Sequence, residues 1–92
     1  PLTKWGLMRR SFLKEHRRGI YSGMMLEGTL KEHCLSIQHQ AEERMDVIVE
    51  QMARAQGIDE RLKASDQMQW VQMMNNIKNS VEEIVIQEIV CA

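Results

Sequence analysis

The run TLKEHCLSIQHQAEERMDVIVEQMARAQ, residues 29–56, decides the fold. Leu30, Cys34, Ile37, Ala41, Met45, Ile48, Met52 and Ala55 follow one another at steps of three or four residues. That spacing lines one face of an α-helix and excludes a strand, whose faces alternate every second residue. Thr29 to Glu32 reads as a capping box, with the Thr29 hydroxyl accepting from the backbone and Glu32 reaching back. Gly28 and Gly57 bracket the run. Its length predicts about 42 Å of helix, the longest element of the chain.

Downstream, Gly57-Ile58-Asp59 reads as a turn, with Asp59 capping the next helix. A third helical region spans about Glu60 to Val90. Its seam is Trp70, Met74, Ile77, Val81 and Ile84, with Met73 and Val85 at the margins. Ser65-Asp66 is a second start signal that would split off residues 60–64. A short turn between two long periodic segments predicts an antiparallel hairpin.

Upstream, a first helix is expected from about Thr3 to Arg18, with Trp5, Met8, Phe12 and His16 on one face and Leu13 and Ile20 at its edge. Arg17-Arg18-Gly19 reads as its end, followed by a short helical segment from Ile20 to Glu27. The expectation is therefore all-α. A single domain of residues 1–92 comprises a basic N-terminal segment (1–27) packed on a hairpin of long helices (29–56 and 59–90, with a break near 65). The composition agrees, with eight Met, one Pro and 4% aromatic residues.

The net charge of −1 hides a division. Residues 1–26 carry Lys4, Arg9, Arg10, Lys14, Arg17 and Arg18 against Glu15 alone, a balance of +5. The other 66 residues carry six basic and twelve acidic side chains, a balance of −6. Arg10, Lys14, Arg17 and Arg18 fall on one arc of the first helix, opposite its apolar face. Arg9 projects from the apolar side, where its stem can pack while its head reaches water. A cationic helix face is a candidate contact for nucleic-acid phosphates, with Lys4 and Arg9 assisting. The competing reading is a solvated face, or cations paired with the acidic body.

A second set of polar residues flanks the hairpin seam. Pairing the two long helices about Ile58 would set Gln51 opposite Asp66 and Gln67, Arg44 near Asn75, and His33 near Glu88. These seven are expected to form a structural polar network that fixes register, because a buried charge needs a partner. No metal site is expected: His33 and His39 are six apart and face different ways, and Cys34 and His39 are no better placed. Catalysis has no foothold, since no Ser, Cys or Thr is paired with a base and an orienting group, and no Gly-rich phosphate loop occurs. No cofactor is implied. Two distant cysteines, Cys34 and Cys91, read as reduced thiols of a cytoplasmic protein. No apolar run approaches the length of a membrane span.

Several stretches resemble one family in register. They are Met8-Arg9-Arg10, Leu13-Lys14-Glu15-His16-Arg17 and Tyr21, then Glu32-His33, Gln40-Ala41, Arg44 and Gln51-Met52. The most specific are Leu62-Lys63-Ala64, Asp66-Gln67-Met68, Trp70-Val71, Met74-Asn75 and Ile77, closing with Glu82-Glu83-Ile84-Val85 and Glu88-Ile89. Through them the chain resembles the transposon-encoded TnpV family over nearly its whole length. It departs from the family pattern at Cys34, where Leu is usual, at Cys91, where an aromatic is common, and in lacking a further segment ahead of position 1. The resemblance implies an accessory protein of a Gram-positive mobile element that travels with site-specific recombinases and has been likened to excisionases.

Two function classes emerge. One is a non-enzymatic, excisionase-like accessory protein that contacts DNA through the basic helix. The other is a helical adaptor that binds a recombinase or another protein through exposed Met-rich surface, without touching DNA. A homodimer is expected in either case, because Val85, Ile86, Ile89 and Val90 spread around the last turns and one partner helix cannot cover them all.

Overall fold

The computed structural model describes residues 1–92 and consists of helices alone: α1 (Lys4–His16), α2 (Arg18–Glu27), α3 (Leu30–Ala55), α4 (Glu60–Ser65), α5 (Gln67–Val85) and a π-helical segment, Ile86–Val90. The all-α expectation holds. The molecule is a rod of 55 × 21 × 18 Å, and none of its helices is long and apolar enough to cross a membrane.

The glycines that bracket α3 close α2 and α3 by the same device. Gly28 (φ 75°) ends α2, with Gly28 N–H donating to Met25 and Thr29 N–H to Met24. Gly57 (φ 70°) ends α3, with Gly57 N–H donating to Arg54 and Ile58 N–H to Ala53. Both are Schellman closures, whose left-handed residue carries no steric penalty only when it is glycine. Ile58 and Ala53 are both buried in the main core, which seals the second closure.

The start of α3 differs from the expected capping box. Thr29 makes no side-chain cap bond and has helical backbone angles, φ −106° and ψ −1°. Its N–H already closes α2, so its backbone cannot also take the extended conformation that aims an N-cap hydroxyl at the helix. The aspartates do cap. Asp59 accepts from Arg61 and Leu62 N–H, and Asp66 from Gln69 N–H, each at 3.1 Å. The break near residue 65 is therefore real, with Asp66 as its pivot.

The bend between α1 and α2 falls at Arg17 (φ −141°, ψ 55°), not at Gly19, which lies inside α2. α1 lies along the N-terminal half of α3. Trp5 joins Ala41, Ile77, Val81, Val85 and Val90 in the main core, while Leu13, Leu30 and Cys34 form a smaller one under α2. The buried side of α1 is thus Trp5, Gly6 and Leu13, with Met8 and Phe12 half-covered and His16 exposed.

At the other end of the seam Val85 is fully buried and Ile84 exposed, the reverse of the expected order. Val85 continues the steps of four from Ile77 and Val81, so it and not Ile84 faces the core. Beyond it Cys91 N–H reaches back five residues to the Ile86 carbonyl at 2.7 Å, and the wider turn carries Val90 onto the same buried face. Ile86 and Ile89 are half-covered. α1 and α3 cover this end within one chain, so these four residues do not call for a partner.

Candidate nucleic-acid interface

Six cations come from α1, the bend at Arg17 and the first residue of α2, and the fold divides them. Arg9 is consumed by the structure. Its Nε donates to His33 Nε2 at 3.2 Å, and its Nη1 donates to the Val90 and Ala92 carbonyls at 3.2 and 2.8 Å. A cation there satisfies carbonyls left open at the end of a helix. Lys4 pairs with Glu82 at 3.0 Å and lies 4.9 Å from the Trp5 ring centroid. These two act as ties between α1 and the C-terminal helices, so both cations already have partners within the fold.

Arg10, Lys14, Arg17 and Arg18 are exposed, and none has a carboxylate within ion-pair distance. Arg10 and Lys14, one turn apart, border the same shallow depression with Ser11, Tyr21, Met25 and Leu30. Arg17 turns elsewhere at the bend. It donates to the His16 carbonyl at 2.9 Å and stacks 5.1 Å from the Phe12 ring centroid, which also has Arg9 at 5.6 Å. Arg18 opens α2. The four therefore form a cationic end of the rod that wraps around a bend, in place of one straight arc.

The Arg9 guanidinium also sets the electrostatics beneath it. Burial, and then the neighbouring Arg9 charge, hold the His33 imidazole below its usual pKa of 6.5. A neutral ring that accepts at Nε2 is the form this bond requires. Burial pushes the Cys34 and Cys91 thiols up, with Arg9 opposing in both cases and Arg10 in the first. Both cysteines are free, and raised thiols are poor nucleophiles.

The seven residues assigned to a register-fixing network are not brought together. His33 bonds to Arg9 and Asp66 caps α5. Arg44, Gln51, Gln67, Asn75 and Glu88 are exposed, and no hydrogen bond joins any two of the seven. Solvent satisfies such groups at the margin of a seam, so they need no protein partner.

The buried polar residue is instead Gln38, 5% exposed, whose Oε1 accepts from Thr3 N–H at 2.6 Å. Its signal was present in the sequence: Gln38 sits between Cys34 and Ala41 at helical steps of four and three. Gly6 makes room for it, since a Cβ there would lie 2.7 Å from Gln38 Oε1 and 2.6 Å from Leu2 Cδ2. His, Cys, Asp and Glu side chains nowhere gather in threes as metal donors would.

No curated protein and no solved structure matches the chain. The family model described as transposon-encoded protein TnpV matches residues 1–90. That match spans the basic end, the long α3 helix and the segments broken at Asp66, so the chain belongs to the TnpV family of transposon-encoded proteins.

Proposed function

We propose that this TnpV-family protein is a non-enzymatic accessory of a transposon or integrative element, acting in the cytoplasm as a dimer and associating with DNA through its basic end. The observation that carries the reading is the set Arg10, Lys14, Arg17 and Arg18, exposed and without acidic partners although twelve carboxylates lie in residues 27–92. Cations on phosphates release counterions, so the interaction is largely sequence-independent and steeply salt-dependent. The acidic remainder of the rod is repelled by the duplex, which favours an end-on approach. The four cations wrap around a bend and do not lie along one helix face that could enter a groove, so backbone contact is the role assigned.

The test is mobility shift with random and element-end duplexes at low and raised salt. Binding to both at low salt, lost as salt rises, is the expected result. No binding at low salt would overturn the reading. A second reading, an adaptor for a site-specific recombinase, is favoured by one observation: α2 leaves Ile20, Met25 and Leu26 exposed, Leu26 at 90%. Capture of the recombinase by a protein that ignores DNA would decide for it.

A further inference from the structure

α1 packs on α3 and the π segment and touches α5 through side chains, so it covers the groove between α3 and α5 for only part of its length. Thr3 N–H meets Gln38 on α3, Lys4 meets Glu82 on α5, and Trp5 enters the core beside Ala41 and Val81. α1 begins there. Lys78 lies one turn beyond Glu82 on α5, and Met45 two turns beyond Gln38 on α3, about 6 and about 10 Å along the helix axes. From that point the groove runs on without a third helix. It encloses about 650 Å³ lined by Met45, Val49, Ala53, Ile58, Trp70 and Met74. Met45, Val49, Trp70 and Met74 remain only half-covered. Of the residues lining this distal arm, only Ala53 and Ile58 are buried.

We propose that the distal arm binds the same arm of a second copy in an antiparallel two-fold pairing, a proposal that rests on the dimer of the proposed function and not on its DNA contact. The charges at the two ends of the groove choose both the occupant and its direction. Lys78 stands at the end nearest α1 and Asp59 and Glu60 at the tip, while Asp46 and the Glu50–Arg54 ion pair lie along α3 between them. Neither Lys78 nor Glu60 has an ion-pair partner within the chain. An antiparallel copy lays Lys78 of each chain against Asp59 and Glu60 of the other, whereas a parallel copy sets like charges together. The contact is self-complementary, so it closes as a dimer and does not propagate. It sets α3 and α5 of each copy into a four-helix layer with α4 at either end, where Lys63 already lies 4.8 Å from the Trp70 ring centroid, and its interior is Met-rich. The two basic ends then point away from one another.

Sedimentation of the full chain at micromolar concentration should give a dimer. Met74→Glu, in the middle of the groove, should give a monomer with unchanged helicity. Lys78→Glu removes two symmetry-related contacts and should weaken association on the order of tenfold. Adding Glu60→Lys should restore it, a reciprocal rescue that general loss of fold does not produce. A monomer at every concentration overturns the proposal. So does a dimer that survives both Met74→Glu and Lys78→Glu, because another face would then hold it. DNA binding by a monomeric Met74→Glu variant separates the two readings: its persistence leaves the basic end in place, and its absence from an intact wild-type dimer removes that end alone.

Discussion

Two residues set how closely α1 can lie on α3. Gly6 faces the Gln38 amide, and any side chain at position 6 meets Gln38 Oε1 and Leu2 within van der Waals distance. Gly6→Ala should therefore destabilise by about 1–3 kcal/mol, although alanine is the better helix former, because it displaces a buried amide from its bond to Thr3. Urea denaturation reads this directly, and an increase in stability would show that Leu2 and Gln38 yield easily. Arg9 and His33 form the second residue-scale device. The folded chain holds His33 below 6.5, so the unfolded chain takes up the proton first. The contribution of this group is full above 6.5 and is lost as pH falls from there towards the lowered value. Denaturation midpoints should drop on acidification in the wild type, and less so in His33→Gln, whose amide oxygen can still accept from Arg9. Equal pH slopes for the two proteins would place the acid sensitivity elsewhere. Arg9→Gln should lower stability at every pH yet leave the salt slope of DNA binding unchanged, since its donors are already engaged.

At the scale of elements, boundaries are set by local chemistry wherever the backbone is free to adopt it. Asp59 and Asp66 stand in extended or irregular conformation and receive two and one backbone N–H groups. Asp59→Ala should cost about 1 kcal/mol, as loss of an N-cap does. Thr29→Ala should be close to neutral, because Thr29 makes no cap bond. Paired thermal melts of these two variants test the distinction, and comparable losses would show that Thr29 caps α3 in solution. Gly57→Ala places a Cβ on a left-handed residue in open space, so its cost is purely conformational, about 1 kcal/mol.

At the scale of the molecule, the rod separates charge along its length. The cationic end has four positive groups without acidic partners, while twelve of the thirteen carboxylates lie on the rest. Arg10→Gln with Arg17→Gln should flatten the salt dependence of DNA binding by about two units and weaken binding similarly on unrelated sequences. Stability should shift by no more than about 1 kcal/mol, since neither residue has an acidic partner and Arg17 is exposed where it stacks on Phe12. If the double change unfolds the protein and leaves affinity intact, the basic end is structural.

The sequence alone determined the all-helical class, the length of α3, the aspartate caps, the glycine closures and the basic end, because each depends on residues within a few turns of one another. The TnpV resemblance was equally legible, carried by residue types in register along the chain. Tertiary structure decided the rest. Which cations remain free depended on where the end of α5 comes to lie: Arg9 reaches Val90 and Ala92 across 81 and 83 residues, and Lys4 reaches Glu82 across 78. The placing of Val90 on the same buried face as Val85, five residues on, required the π turn, which no local periodicity announces. Gln38 became a buried acceptor only because α1 crosses α3 at that point. Local spacing fixes which face a residue occupies, but the neighbour on that face comes from a distant part of the chain, and that neighbour decides whether a charge is a tie or a contact.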